Sequence, residues 1–205
     1  RIRDLIQEKN DLLPKTDLNY GLVRRKNDDG TINVFPFSPL KVLRDSNTSN
    51  DMLLKEQDVL YVFPLDESRN DLLRGIISDL NQQKKPGTSP NVLRITGYVR
   101  HPGQYPLVQG MDLNDLITAS GGLIDSSYTL SAELTRVALS EKKHANVEHI
   151  EIIDLNNIQE ELSHSSILQA NDHLVIKKIP YWAESKTITL GGEFIVINKH
   201  LLSLH

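Results

Sequence analysis

The chain contains an internal repeat of about half its own length. The sequence Asp-Leu-Ile at residues 4–6 returns at residues 115–117, which is 111 positions later. Further along, residues 57–60 (Gln-Asp-Val-Leu) return as residues 171–174 (Asn-Asp-His-Leu), 114 positions later. The change of three positions indicates a loop insertion between two copies of one small domain, because a solenoid repeat would be far shorter. An array of like modules favours architecture or binding over a single catalytic pocket.

Composition places the chain among ordinary globular proteins. The 205 residues suffice for two small domains, and the formal net charge of −4 argues against nucleic acid as a partner. The absence of cysteine excludes disulfides and thiolate metal sites. No apolar run is long enough to span a bilayer, so we expect membrane association only through parts outside this sequence. The chain opens in the middle of the repeat, so we also expect it to be an excised fragment.

The second copy, predicted over residues 91–180, begins with a β-hairpin. Val92–Thr96 alternates apolar and polar residues, which indicates a strand. The sequence His101–Gln104 predicts a type II turn, with Gly103 supplying the positive φ at its third position. Residues 104–108 then return as the partner strand.

A helix follows this hairpin. Asp112 and Asp115 form a capping-box pair, and Gly121-Gly122 is placed to end the helix. Its apolar stripe consists of Leu113, Leu116 and Ile117. Further strands are predicted at residues 132–139, 147–155 and 173–179. This order predicts a β-grasp, a two-layer α+β fold.

The first copy, predicted over residues 1–64, starts at the helix and lacks its opening hairpin. Its helix is predicted over Arg3–Lys9, and its strands at residues 19–25, 32–37 and 59–63, with a turn at residues 27–30. The fold class is therefore α+β with two tandem ubiquitin-like modules.

Two further segments complete the organisation. Residues 65–90 predict a linker with an amphipathic helix over 68–80, capped by Ser68 and Asp71. Residues 181–205 predict a second linker and the first strand of a truncated third module, because residues 188–194 are similar to residues 93–99. We predict that this orphan strand, 188–197, pairs with an open module edge, within the chain or between copies.

These residues carry a family resemblance. Residues 97–105 (Gly-Tyr-Val-Arg-His-Pro-Gly-Gln-Tyr), followed by the Leu-rich helix and Gly121-Gly122, resemble the SLBB domain, the soluble-ligand-binding β-grasp. Residues 132–136, 168–172 and 192–194 are similar to the pattern in bacterial polysaccharide biosynthesis and export proteins, including outer-membrane capsule exporters. Residues 194–199 depart from it, because a Pro-Gly turn is expected there.

The resemblance implies a location and partners. It implies a periplasmic protein, with outer-membrane association in some members, and homo-oligomeric assembly or contact with other export proteins. It also implies a secreted polysaccharide, such as capsule or exopolysaccharide, as cargo or ligand.

The sequence lacks the patterns of catalytic and metal sites. His144 and His149 are five positions apart, whereas two ligands on one helix face need four, and no His-Glu-x-x-His occurs. The Asn27–Gly30 turn lacks the spacing of a calcium loop. We therefore predict a protein that is not an enzyme and has no metal or other cofactor.

Glycan binding requires aromatic faces for stacking and polar groups for hydroxyls. The candidate ligand-binding residues are Tyr98, Arg100, His101, Tyr105, Arg136, Tyr181 and Trp182. Structural roles are the alternative: Tyr105 can pack in the hairpin, Arg136 can pair with a strand neighbour, and Trp182 can dock a domain junction. The main hypothesis is a non-catalytic module of polysaccharide export or biosynthesis. The alternatives are a monomeric soluble glycan-binding module and an enzyme of cell-envelope carbohydrate metabolism.

Overall fold

The computed structural model describes residues 1–44, 50–139, 146–156 and 167–183. Within them the chain forms two β-sheets and three α-helices, which confirms a mixed α and β fold. Two short 3-10 turns, Ile2–Asp4 and Lys9–Asp11, precede the first strand. The strands and helices follow in the order β1 (Thr16–Lys26), β2 (Ile32–Phe37), α1 (Pro39–Arg44), β3 (Val59–Pro64), α2 (Asn70–Gln82), β4 (Val92–Gly97), β5 (Gly103–Pro106), α3 (Leu113–Ala119), β6 (Ser127–Leu139), β7 (Asn146–Ile153) and β8 (His173–Lys178).

The first sheet has the order β2-β1-β3, and both of its strand pairs are antiparallel. The turn between β1 and β2 lies where the sequence predicts it. The Asn27 N–H donates to the Thr31 carbonyl at 2.8 Å, and the Gly30 N–H donates to the Asn27 carbonyl at 2.9 Å. We call this sheet, together with the residues before it and α1, the first unit.

The second sheet has the order β5-β4-β8-β6-β7. The central strand β8 runs parallel to its neighbour β4, and every other strand pair of the sheet is antiparallel. Helix α3 connects β5 to β6, so it joins the hairpin at one edge of the sheet to the hairpin at the other. We call this sheet and α3 the second unit.

The repeat found in the sequence is also present in the strand pairing. In the first unit β1 pairs with β3 and places Arg24 opposite Val59. In the second unit β6 pairs with β8 and places Thr135 opposite His173. The four residues correspond through the same shifts of 111 and 114 positions. Each ladder is also interrupted once, at equivalent positions.

Helix α3 begins and ends as predicted. The Asp112 carboxylate accepts from the Asp115 N–H at 2.8 Å, and the Asp115 carboxylate accepts from the Asp112 N–H at 3.1 Å. Gly121 and Gly122 have φ values of 81° and 91°. In this left-handed region a Cβ is unfavourable, so glycine ends the helix at low cost.

Helix α2 confirms the predicted amphipathic helix, but its beginning differs from the prediction. Its buried face consists of Leu73, Ile76, Ile77 and Leu80. The predicted capping pair of Ser68 and Asp71 is wrong, because the N-cap residue is Arg69 and makes no side-chain cap. The Asp71 carboxylate pairs with the exposed Arg74 instead. The cause is tertiary, since Arg69 extends into the interior between the two sheets.

The helix predicted over Arg3–Lys9 is wrong. The chain makes two short 3-10 turns there, and Glu8, just before the second, is extended. The Asp11 carboxylate accepts from the N–H groups of Gln7 and Glu8, at 2.8 and 2.9 Å. A side chain thus takes the donors that an α-helix would direct at its own carbonyl groups.

The type II turn predicted around Gly103 is also wrong. Gly103 does not adopt a positive φ and is the first residue of β5. A Cβ at this position would collide with Oδ1 of Asn70, the first residue of α2. The glycine therefore permits close approach of α2 to the hairpin.

The hydrophobic core has two parts. A large core is shared by both units, and α2 contributes its whole buried face to it, between residues of β1 and β4. A small core lies on the other face of the first sheet, formed by Ile2, Ile6, Val23, Phe37 and Val42. Strand β1 is therefore covered on both faces, which explains its unbroken buried run at residues 20–23.

Some predicted segments fall largely outside the described residues. They are the charged loop at 140–146, the polar stretch at 156–166 and the orphan strand at 188–197. The pairing of residues 188–197 with a module edge stays a prediction.

Candidate functional site

Two candidate residues, Tyr98 and Arg100, lie just beyond the end of β4. The Tyr98 ring is half-buried, with the Lys178 Nζ 5.9 Å from its centroid. Arg100 is exposed, and its Nε donates to the Gly121 carbonyl at 3.3 Å. Both side chains therefore lie close to groups of the second unit, at one end of its sheet.

Tyr105 and Arg136 have structural roles. Tyr105 is fully buried, and its hydroxyl donates to the His101 carbonyl at 2.7 Å. Burial raises the pKa of Tyr105, so the hydroxyl stays protonated. Arg136 donates from Nε and Nη2 to both carboxylate oxygens of Asp172, at 2.9 and 2.7 Å. The Tyr105 side chain is therefore enclosed, whereas Arg136 keeps part of its side chain at the surface. Their assignment as ligand-binding residues stays a prediction.

His101 connects the two units. It is buried, and its Nε2 lies 2.9 Å from the carbonyl oxygen of Leu65, the residue after β3. Burial lowers the pKa of His101, and the positive charge of Arg69 lowers it further. The neutral ring can donate from Nε2 to this carbonyl.

Tyr181 and Trp182 follow β8 and differ in exposure. Tyr181 is fully exposed and has a φ of 59°, whereas Trp182 is half-buried. The Trp182 N–H donates to the Ile179 carbonyl at 3.2 Å. The seven candidate residues therefore do not form one pocket. Five lie at the end of the sheet or in the hairpin turn, Tyr105 is buried in the interior, and Arg136 pairs with Asp172.

The junction between the units is built around Arg69, which the sequence analysis did not single out. Its side chain is fully buried and donates to the Asp17 carboxylate and the Ala119 carbonyl. Its guanidinium carbon lies 5.8 Å from the ring centroid of Tyr20 and 5.3 Å from that of Phe63. No sequence signal marks this arginine, because its partners lie about 50 positions away on each side.

A cleft of about 520 Å³ opens beside this junction. This volume lies within the range of about 300–1,000 Å³ that is usual for ligand sites. We call it the inter-unit cleft, because residues of both units form its walls. Its walls include, from the first unit, Asn19, Tyr20, Phe37, Lys41 and Asn50, and, from the second, Pro106, Gln109, Met111, Asp115 and Thr118.

The polar groups of the inter-unit cleft differ in whether they already form hydrogen bonds within the protein. The Asn50 Oδ1 accepts from the Ser38 N–H at 2.8 Å. By contrast, the hydroxyl of Tyr20 has no hydrogen-bond partner among the described residues, although the rest of the side chain is buried, and its oxygen still reaches solvent. Burial raises the pKa of Tyr20, so the hydroxyl remains a proton donor.

Among the described residues that line this cleft, Asp115 and Lys41 are the two charged residues without a salt bridge, since Asp17 is paired with Arg69. Asp115 is exposed at the rim, yet partial removal from water raises its pKa. The charge of Lys41 opposes this shift and favours the carboxylate. Because Lys41 belongs to the first unit and Asp115 to the second, the two opposite charges lie on different walls.

No protein-family model matches this chain, and no curated protein matches it either. Within the described ranges, no cluster of three or more His, Cys, Asp or Glu side chains is placed to hold a metal ion. No helix in the same ranges is both long and apolar enough to cross a membrane.

Proposed function

We propose that this chain is a non-catalytic part of a periplasmic protein of polysaccharide export or biosynthesis, built from two SLBB-type β-grasp modules. In this proposal it assembles with copies of itself or with other export proteins, and it contacts the glycan. The proposal starts from the sequence resemblance at residues 97–122.

The strand order of the second sheet is the observation that carries the proposal. A β-grasp places its first and last strands side by side and parallel at the centre, with a hairpin at each edge and one crossing helix. The order β5-β4-β8-β6-β7, with β4 and β8 parallel, supports this assignment. It is also the order that the resemblance implies.

The equivalence of the two units supports a tandem arrangement. The salt bridge between Arg136 and Asp172 in the second unit has a counterpart between Arg25 and Asp58 in the first. In each unit it joins the long strand, β1 or β6, to the turn before the last strand. A tandem array of like modules suits assembly into larger structures better than it suits a single catalytic centre.

The inter-unit cleft favours a second candidate function. A monomeric glycan-binding module would need a concave site with several polar groups, and this cleft is one. Light scattering of the purified chain over a range of concentrations separates the two. Concentration-dependent growth in mass supports assembly, whereas a constant monomer mass supports the alternative.

A genetic experiment tests the proposed function itself. We expect deletion of the gene in the source bacterium to remove polysaccharide from the cell surface and to leave it inside the cell. A plasmid copy should restore surface polysaccharide, and osmotic shock should release the protein if it is periplasmic. Unchanged surface polysaccharide in the deletion strain would refute the function.

A further inference from the structure

The inter-unit cleft contains a hydroxyl group that the described residues leave without a partner. Tyr20 is only 5% exposed and lines the cleft, and its hydroxyl makes no hydrogen bond within the described residues. Its oxygen still reaches solvent, because the one fully buried side-chain atom without a partner in these residues is Nε of Arg69. A ligand in the cleft can therefore bond this hydroxyl in exchange for water.

The position of the Tyr20 side chain is fixed by its neighbours. Its ring stacks on Phe63 with a centroid separation of 5.5 Å and an interplanar angle of 18°. The Arg69 guanidinium lies on the same two rings. Because these contacts hold the ring, the hydroxyl is oriented before any ligand arrives, which favours binding.

Other polar groups of the cleft can both donate and accept. The Asn50 amide oxygen accepts from Ser38, and its N–H groups donate to no group among the described residues. Asn19 and Gln109 carry exposed amides, and Thr118 carries an exposed hydroxyl. Groups of this kind match sugar hydroxyls, which also donate and accept.

The charges of the cleft favour an uncharged ligand. The Asp17 carboxylate is already paired with Arg69. Among the described lining residues this leaves one positive charge, Lys41 of the first unit, and one negative charge, Asp115 of the second. A polyanion would instead need a cluster of basic side chains. Phe37, Pro106 and Met111 add apolar surface, which suits the C–H faces of a sugar ring.

We propose that the inter-unit cleft binds a short segment of neutral oligosaccharide and that the Tyr20 hydroxyl is its anchor. The inference rests on the proposed contact with glycan and gives it a site. That site differs from the exposed aromatic residues at the end of the sheet, Tyr98, Tyr181 and Trp182.

The test uses the full chain, labelled with ¹⁵N and titrated separately with maltotriose, cellotriose and chitotriose to 10 mM. We expect at least one trisaccharide to shift the amide signals of Gly110, Gly121 and Gly122, which line the cleft. Trp182, the single tryptophan of the chain, serves as a second probe, and its fluorescence should not change.

Three variants sharpen the test. Tyr20→Phe keeps the stacked ring and removes only the oxygen, so it should weaken binding about tenfold, the effect of one lost hydrogen bond, without lowering the melting temperature. Tyr61→Phe, at a half-buried tyrosine that does not line the cleft, should bind as the wild type does. Thr118→Trp, at an exposed position on the opposite wall, should fill the cleft and abolish the shifts.

The possible results distinguish a failure of the proposed cleft site from a failure of the proposed function. Shifts that cluster around Tyr98 and Trp182, or equal affinity of the wild type and Tyr20→Phe, would contradict the proposed cleft site. Either result would still be compatible with glycan binding elsewhere on the protein. An absence of shifts with all three sugars would overturn the cleft as a site for neutral glycan. The gene deletion would still test the role in export independently.

Discussion

Arg25 holds Asp58 through two hydrogen bonds, from Nε at 2.8 Å and from Nη2 at 2.6 Å. Arg136 holds Asp172 in the same manner. In both units the arginine also donates to the carbonyl five positions before the aspartate, and the aspartate accepts from the N–H three positions before itself. The two clamps therefore fix the same turn in each unit to the long strand beside it.

Removing the acid of either clamp should destabilise the protein. We expect Asp172→Asn and Asp58→Asn each to lower the free energy of unfolding by about 3 kcal/mol, because each leaves a largely buried arginine without its counter-charge. Urea unfolding followed by circular dichroism measures this. Asp71→Asn, in an exposed pair with Arg74, is the matched control and should change nothing measurable. Equal effects at positions 71 and 172 would contradict the prediction.

The buried pair of Arg69 and Asp17 should show strong coupling. We expect Arg69→Met alone to cost about 3–5 kcal/mol, because it leaves the Asp17 carboxylate buried and unpaired. The double variant Arg69→Met with Asp17→Asn should cost clearly less than the two single changes added together. A double-mutant cycle from urea unfolding measures the coupling, and strictly additive effects would show that the pair is not a unit.

His101 should make the stability depend on pH. Burial and the charge of Arg69 lower its pKa in the folded protein, so below its ordinary value of 6.5 the unfolded chain binds a proton that the folded chain does not. The free energy of unfolding should therefore fall as the pH drops from 7.5 through 6.5, until the folded pKa is passed. Arg100 adds to this effect, and Asp17 and the Leu65 carbonyl oppose it.

Chemical unfolding between pH 7.5 and pH 5 measures this dependence, and His101→Gln is the comparison. The variant should lose less stability over this range than the wild type. The remaining pH dependence of the free energy of unfolding should come partly from His173, because burial also lowers the pKa of that residue. The Asp58 pKa is held below its ordinary 3.8 by Arg25, so its contribution is lost only at lower pH. Identical slopes for wild type and variant would exclude His101 as a source.

Gln57 should be a weak point in the first unit. It has a φ of 65°, and its counterpart in the second unit is Asn171, with a φ of 70°. Asparagine tolerates this left-handed conformation better than glutamine does. We expect Gln57→Asn to raise the free energy of unfolding by up to about 1 kcal/mol, and Asn171→Gln to lower it by a similar amount. Thermal unfolding of both variants tests this, and changes of the same sign would contradict it.

Local signals in the sequence predicted much of the fold. The capping residues and the double glycine of α3 are adjacent in sequence, so their effect on the chain does not depend on distant contacts. The offsets of 111 and 114 positions relate Arg25 to Arg136 and Asp58 to Asp172, and these residues form equivalent salt bridges in the two units. The prediction of a helix over residues 3–9 rested on the spacing of apolar residues and was wrong. The Asp11 carboxylate accepts from the N–H groups of Gln7 and Glu8, which an α-helix would direct at its own carbonyl groups.

The candidate site was less accessible to sequence reasoning. Aromatic residues near a turn pointed to Tyr98 and Tyr181, but Tyr20 gave no signal, because it reads as one more apolar residue of a strand. Its hydroxyl matters only because the second unit covers the ring and leaves the oxygen beside the inter-unit cleft. Arg69 was hidden in the same way, since an arginine before a helix normally remains in water.

The sequence by itself determined the repeated segments and their offsets, the amphipathic face of α2 and the limits of α3. Each of these depends on residues a few positions apart or on direct comparison of two segments. Only the tertiary structure decided how the units meet, because that contact joins groups about 50 positions apart. There Arg69 is buried between Asp17 and Ala119. Burial of that charge requires partners from both units at once, and this requirement places the cleft and the Tyr20 hydroxyl at the junction between them.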